Sequence, residues 1–231
     1  MGVLGCGFKV IVTTSDKYHH LLPIFCFLFN KYWGADQEVE IVGYKVPNVK
    51  LPENFTFVSL GEQPTRRDQW STTLRKHFLK QPDYFIWSME DTFIKDFVNH
   101  KSLSILHEIV QDKFVGRVAL SDYSFSQYEH PYKIIDGCKI SNTSTLSKYN
   151  LSTQVALWNK DYLLRYMFNN LDPWQFECQR KHVDCFKNVS FEPKHAPIKH
   201  NEGVRISDIF KLNLNGISKR MILEMNQKLI L

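Results

Sequence analysis

The run Tyr84-Phe85-Ile86-Trp87-Ser88-Met89-Glu90-Asp91 sets a buried-strand pattern directly against two adjacent carboxylates. A short apolar run behind the turn residues Gln81-Pro82-Asp83 predicts a strand covered on both faces. Two acids at its end are costly unless a cation or a polar partner meets them. In an open α/β sheet the carboxyl ends of strands are also where ligands bind. The pair alone leaves two readings open, a cap for a following helix or a site for a cation and phosphate.

The surrounding pattern predicts what kind of sheet receives this strand. Residues 8–12 form a β-branched run suited to a first strand, and 21–33 read as a helix closing at Gly34. Strands follow at 39–44 and 57–60, with turn chemistry at Val46-Pro47-Asn48 and Leu51-Pro52-Glu53-Asn54. Trp70, Leu74, Phe78 and Leu79 recur at helical spacing over 68–79, Leu103, Leu106 and Val110 over 97–110, and 115–120 is a further strand. This alternation predicts an α/β fold, a Rossmann-like, mostly parallel sheet flanked by helices. Beyond it, 121–152 is rich in Tyr, Ser, Asn and Lys and holds irregular strands and loops. Helices are expected at 160–168 and 174–180, a strand at 186–191, and a C-terminal helix from about Ser218. The chain reads as one domain over 1–231, with a nucleotide-type half at 1–120 and a more irregular half at 121–231.

Composition narrows the function. With 231 residues, 43% of them hydrophobic, the chain can bury a substantial core. A net charge of +5 fits anionic substrates and is far from the footprint of a nucleic-acid binder. Five cysteines without CxxC spacing argue against a zinc site and against a disulfide scaffold. Sequons open at Asn54, Asn142, Asn150 and Asn188, but no leader pattern precedes them, and a cytoplasmic protein is expected. The apolar segment 21–29 is too short to span a bilayer.

Four clusters could carry chemistry. Thr13-Thr14-Ser15-Asp16 follows the first strand and can bind a nucleoside or phosphate, or cap the next helix. Neither a Gly-x-Gly-x-x-Gly nor a Walker pattern is present, which disfavours dinucleotide oxidoreductases and P-loop enzymes. Glu90 and Asp91 are hard oxygen donors suited to Mg²⁺ or Mn²⁺ on a diphosphate. Asp172-Pro173-Trp174-Gln175-Phe176-Glu177 reads as a capped helix start that places Glu177 in the first turns, as a general base or as a surface glutamate favoured by the helix dipole. His195 to Gly203 contains Lys199 for phosphate and His200 for a metal shell.

In this order the clusters resemble the GT-A glycosyltransferases, in particular compact nucleotide-sugar transferases of capsule and lipopolysaccharide clusters and of large DNA viruses. Residues 84–94 (YFIWSMEDTFI) look like the family's strand with its acidic metal motif. Ser152-Thr153-Gln154-Val155-Ala156-Leu157-Trp158-Asn159 looks like its acceptor-side segment, and Pro173-Trp174-Gln175-Phe176-Glu177 like its Trp-x-Phe-Glu element. Asp68-Gln69-Trp70-Ser71 resembles the helix start before the metal strand, and His200-Asn201-Glu202-Gly203-Val204 the loop after the last core strand. The metal motif departs from Asp-x-Asp: Met89 is no hard ligand, and Asp91 is the better match.

The resemblance implies a GT-A fold that transfers a sugar from a UDP- or GDP-sugar to a hydroxyl on a glycan or lipid-linked glycan. It implies inversion, with Glu177 as base. Mn²⁺ or Mg²⁺ would sit on Asp91, with Glu90 and His200 assisting. Thr13, Thr14, Ser15, Tyr44, Arg67, Trp70, Glu90 and Lys199 would bind the nucleotide sugar, and Gln154, Trp158 and Trp174 the acceptor. The 217–231 segment implies at most peripheral membrane contact. Two other readings remain: a sugar nucleotidyltransferase, whose Gly-rich loop would be misplaced here since Gly2, Gly5 and Gly7 precede the first strand, and a non-catalytic glycan-binding scaffold.

Overall fold

The computed structural model describes residues 6–122, 128–144, 147, 149–179 and 185–202. They pack as two compact units. One holds residues 6–63, 88–98 and 199–202, and the other the described residues within 64–87 and 99–198.

In the first unit, β1 (Lys9–Thr13), β2 (Val39–Gly43) and β3 (Phe55–Ser59) lie in the order β3-β2-β1 and run parallel. Val10, Ile11, Val12, Ile41 and Val42 are buried in it, as parallel strands covered on both faces require. A 3-10 turn over Asp16–Leu21 leads into α1 (Leu22–Tyr32), with Pro23 in the first turn, where its missing N–H breaks no helical bond. α1 sets Phe25 and Phe29 edge-on against Phe55, with ring centres 6.4 and 5.6 Å apart. Gly34, at φ 124°, follows the helix in a conformation that only glycine adopts freely. A separate antiparallel pair joins β5 (Thr92–Ile94) to β11 (His200–Glu202), with His200 opposite Ile94 and Glu202 opposite Thr92.

The second unit contains β4 (Tyr84–Met89) through its first four residues, β6 (Val115–Ala119), β7 (Tyr128–Ile135), β8 (Cys138–Thr143), β9 (Ala156–Asn159) and β10 (Lys187–Phe191). Their order is β4-β9-β6-β10-β8-β7. β9 is antiparallel to both β4 and β6, β10 is parallel to β6, and β8 and β7 continue antiparallel. All of these strands except β8 and β9 therefore share one direction. The helices are α2 (Trp70–Phe78), α3 (His100–Ser104), α4 (Leu106–Ile109), α5 (Lys160–Tyr166) and α6 (Pro173–Glu177). This is the α/β class expected from the alternation of strands and helices.

One local expectation changes. The helix expected over 97–110 divides at Ile105 into α3 and α4. The Ser104 hydroxyl, 2.8 Å from the Lys101 carbonyl, offers the backbone a competing local bond at that break. The segment 152–159 precedes a helix, α5, as expected, and its last four residues form β9, inserted between β4 and β6. The stretch after residue 121 holds the hairpin β7–β8, turned at Asp136-Gly137, where both residues have positive φ, and its pairing shifts register between Tyr128 and Pro131 and between Pro131 and Lys133, as the expected irregular strands would. The expected C-terminal helix and Gly203-Val204 lie outside the described residues.

Candidate functional site

The corner after β1 is built by close backbone approach. The Thr14 N–H donates to the Val42 carbonyl at 2.9 Å. A Cβ on Gly43 would stand 2.9 Å from the Thr14 methyl and 3.0 Å from the Phe57 ring, so only glycine admits Thr14 here. Asp16 is structural. Its carboxylate accepts the Lys45 N–H at 3.0 Å and lies 3.8 Å from His19, while its N–H donates to Gln63 at 2.9 Å. Ser15 stands at the N-cap position of the 3-10 turn yet makes no capping bond, and its hydroxyl is buried without a partner. The capping alternative therefore fails for Ser15. Thr13 and Thr14 are buried, as is Tyr44, whose carbonyl accepts the Ser59 hydroxyl at 2.5 Å.

Glu90 and Asp91 form the sharp corner between β4 and β5, so no helix follows for them to cap. Glu90 is 1% exposed, and neither carboxylate oxygen has a hydrogen-bonding partner of good geometry. The Thr14 hydroxyl and the Ser15 backbone lie close enough to favour its charge, but burial and then the neighbouring Asp91 carboxylate dominate. Its pKa is pushed up to about 8. An orphaned buried carboxyl beside a second acid fits a hard cation by its donor set. Asp91 is half-buried. Among the described residues no three His, Cys, Asp or Glu side chains group into a metal cage, so protein ligands alone do not complete a shell. His200 is buried on β11. Lys199 pairs with Asp96 at 2.8 Å, and that pairing holds the Asp96 carboxyl below its ordinary range.

In the second unit Asp172 caps α6, as expected. Its carboxylate accepts the Gln175 N–H at 2.8 Å, and the Gln175 side chain returns the bond to the Asp172 N–H at 2.9 Å. The helix is one turn long, so Glu177 is its last residue rather than a member of a longer helix's first turns. Glu177 is partly exposed, and its Oε1 accepts the Thr153 N–H at 2.6 Å and the Thr153 hydroxyl at 2.7 Å. Beneath it Arg117, 3% exposed, donates from Nη2 to the Ser152 carbonyl at 3.0 Å and lies 5.1 Å from the Trp158 ring centre. Burial pulls the Arg117 pKa down to about 10 against the opposing pull of the Glu177 and Tyr162 charges.

Trp158 is the clearest correction. It lies on β9 with no exposed surface, and Trp87, Tyr162 and Phe176 surround it with ring centres 5.7 to 6.2 Å away. A central strand places this side chain in the core, so it offers no face to a sugar. Trp70 belongs to the same aromatic cluster, 6.2 Å from Trp87 and 5.9 Å from Phe176. Trp174 is 59% exposed. Gln154 is buried at the turn before β9, its N–H on the Ser152 hydroxyl at 3.2 Å. Arg67 is exposed and 3.8 Å from Asp172. Thr153 and Arg117 carried no sequence signal of their own; only the fold shows that they meet Glu177 and the turn beside it.

No family model and no curated protein matches the chain. Among solved structures it is similar to an apo UDP-glucose pyrophosphorylase, with a TM-score of 0.47 and 8% identity over 96% of this chain and 97% of that one. It is similar also to a UDP-glucose pyrophosphorylase complexed with UDP-glucose, with a TM-score of 0.44 and 10% identity over 96% and 98%. At these values the likeness is one of general chain course and assigns no activity. No helix of the described residues is long and apolar enough to cross a membrane.

Proposed function

We propose that the chain is a nucleotide-sugar-dependent transferase, and within that class a GT-A-like glycosyltransferase. The observation that carries the reading is Glu90: a buried carboxyl with no hydrogen bond of good geometry, at the end of β4, beside Asp91 and next to the Thr14-Ser15 corner of β1. Leaving such a group unsatisfied costs stability, and a ligand that supplies a cation or donors repays it. Ser15, with its unpartnered hydroxyl, adds a second group ready for a nucleoside.

In this reading Thr13, Thr14, Ser15 and Tyr44 bind the nucleoside end of a UDP- or GDP-sugar. Asp91, with Glu90, would hold Mn²⁺ or Mg²⁺, which supplies charge neutralisation for the diphosphate leaving group. Glu177 takes the proton of the acceptor hydroxyl as that oxygen attacks the anomeric carbon, which inverts the sugar. Trp174 gives the acceptor an apolar platform. Lys199 and Arg67 are already engaged by Asp96 and Asp172, so the case for them in donor binding is the weaker.

The test is product analysis with UDP- and GDP-sugars, Mn²⁺ and glycan acceptors. Transfer with release of a nucleoside diphosphate supports the reading. Pyrophosphate release from a nucleoside triphosphate and a sugar phosphate replaces it with nucleotidyl transfer, the chemistry named for the two pyrophosphorylases. Binding of glycan without turnover replaces it with a scaffold.

A further inference from the structure

Glu177 ends in a torsion about a tetrahedral–trigonal bond, which is broad unless something fixes it. Thr153 fixes it. Its N–H and its hydroxyl converge on the same oxygen, Oε1, at 2.6 and 2.7 Å, the short lengths of charge-assisted bonds. Among the described residues no hydrogen bond is made to Oε2.

The turn that carries Thr153 is itself braced from both sides. Ser152 donates its N–H to the Tyr149 carbonyl at 3.0 Å, and its hydroxyl accepts the Gln154 N–H at 3.2 Å. From below, the Arg117 guanidinium donates to the Ser152 carbonyl at 3.0 Å. Arg117 stands opposite Trp158 on one neighbouring strand and Asn188 on the other, so its direction is set by the sheet register. Even with the Trp158 ring beside it, a buried guanidinium whose hydrogen bond goes to a backbone carbonyl is a costly brace for an ordinary turn. It is better explained by what the next residue does.

We propose that Thr153 is a positioning residue for Glu177, with Arg117 anchoring the turn that carries it. This rests on Glu177 serving as the base of the proposed transfer. Thr153 holds Oε1 and so aims Oε2 at the acceptor hydroxyl, which binds in the reach of Glu177. The acceptor class that suits this arrangement is a sugar hydroxyl, since a single aimed oxygen must meet one O–H among several on the same ring.

Thr153→Val keeps the side-chain size and the backbone N–H but removes the hydroxyl, and Thr153→Ser retains the hydroxyl. Each is compared with the full-length protein by crystal structure and by steady-state transfer. Thr153→Val should lower kcat roughly ten- to hundredfold, the effect of a base displaced by about an ångström, with donor KM unchanged. Its Glu177 carboxylate should be turned or unresolved, and Thr153→Ser should restore both rate and orientation. Wild-type kcat in Thr153→Val, with Glu177 unmoved, overturns the positioning role, while an inactive Glu177→Gln in the same assay keeps the base. Full turnover by Glu177→Gln instead overturns the base. If the wild type transfers nothing, the proposed function fails, and the orientation of Glu177 in the two variant structures still decides whether Thr153 positions it.

Discussion

Burying the Glu90 carboxyl raises its proton affinity, and this makes stability depend on pH in a definite direction. The folded pKa of about 8 lies above the ordinary value of 4.5. Between the two the folded state binds more protons than the unfolded one, so stability falls as pH rises from about 4.5 to about 8. Each tenfold change in proton affinity is worth about 1.4 kcal/mol, so the fall across this window amounts to several kcal/mol. Chelator-treated protein should therefore lose thermal stability over that range, and Glu90→Gln should flatten the dependence. Mn²⁺ should raise Tm for the wild type at pH 8 and do little for Asp91→Ala. A pH-independent Tm in metal-free wild type would mean that Glu90 finds partners in solution. The aromatic residues separate in the same manner. Trp158→Ala should cost roughly 3–5 kcal/mol, as for other large buried side chains, read as a lowered urea midpoint. Trp174→Ala should leave that midpoint nearly unchanged and raise the acceptor KM.

Among the elements, β4 and β1 were legible in the sequence because a short apolar run, aromatic in β4 and β-branched in β1, that ends in polar residues has few other solutions. α6 was legible at its start, through Asp172 and Pro173, though not in its length. β9 was not legible. Ala156-Leu157-Trp158-Asn159 is short enough to suit a loop, a helix or a strand, and only pairing with β4 and β6 decides among them. The resemblance sent Trp158 to a predicted sugar site, whereas the strand sends it to the core. The close contact of α5 with β6 was equally hidden. A Cβ on Gly116 would lie 2.5 Å from the Tyr162 ring, so Gly116→Ala must push the helix away. That overpacking should cost about 1–3 kcal/mol in chemical denaturation. Thr153 shows the same limit at the site, since its two bonds to Glu177 join residues 24 positions apart in sequence.

At the scale of the whole molecule, the polar groups left unsatisfied include those that a nucleotide-sugar transferase would use: the Glu90 carboxyl and the Ser15 hydroxyl in one unit. In the other, the Glu177 carboxylate is already oriented by Thr153. The net charge of +5 agrees with an anionic substrate. The most direct measurement is a comparison of wild type and Glu177→Gln in an assay of nucleoside diphosphate release, using UDP- and GDP-sugars with Mn²⁺ and a panel of glycan acceptors. Wild type should release the diphosphate with one donor and form an inverted glycoside. Glu177→Gln should bind that donor with the same affinity and lose roughly a hundredfold or more in rate. Equal turnover by the two proteins, or pyrophosphate release in place of transfer, would contradict the account.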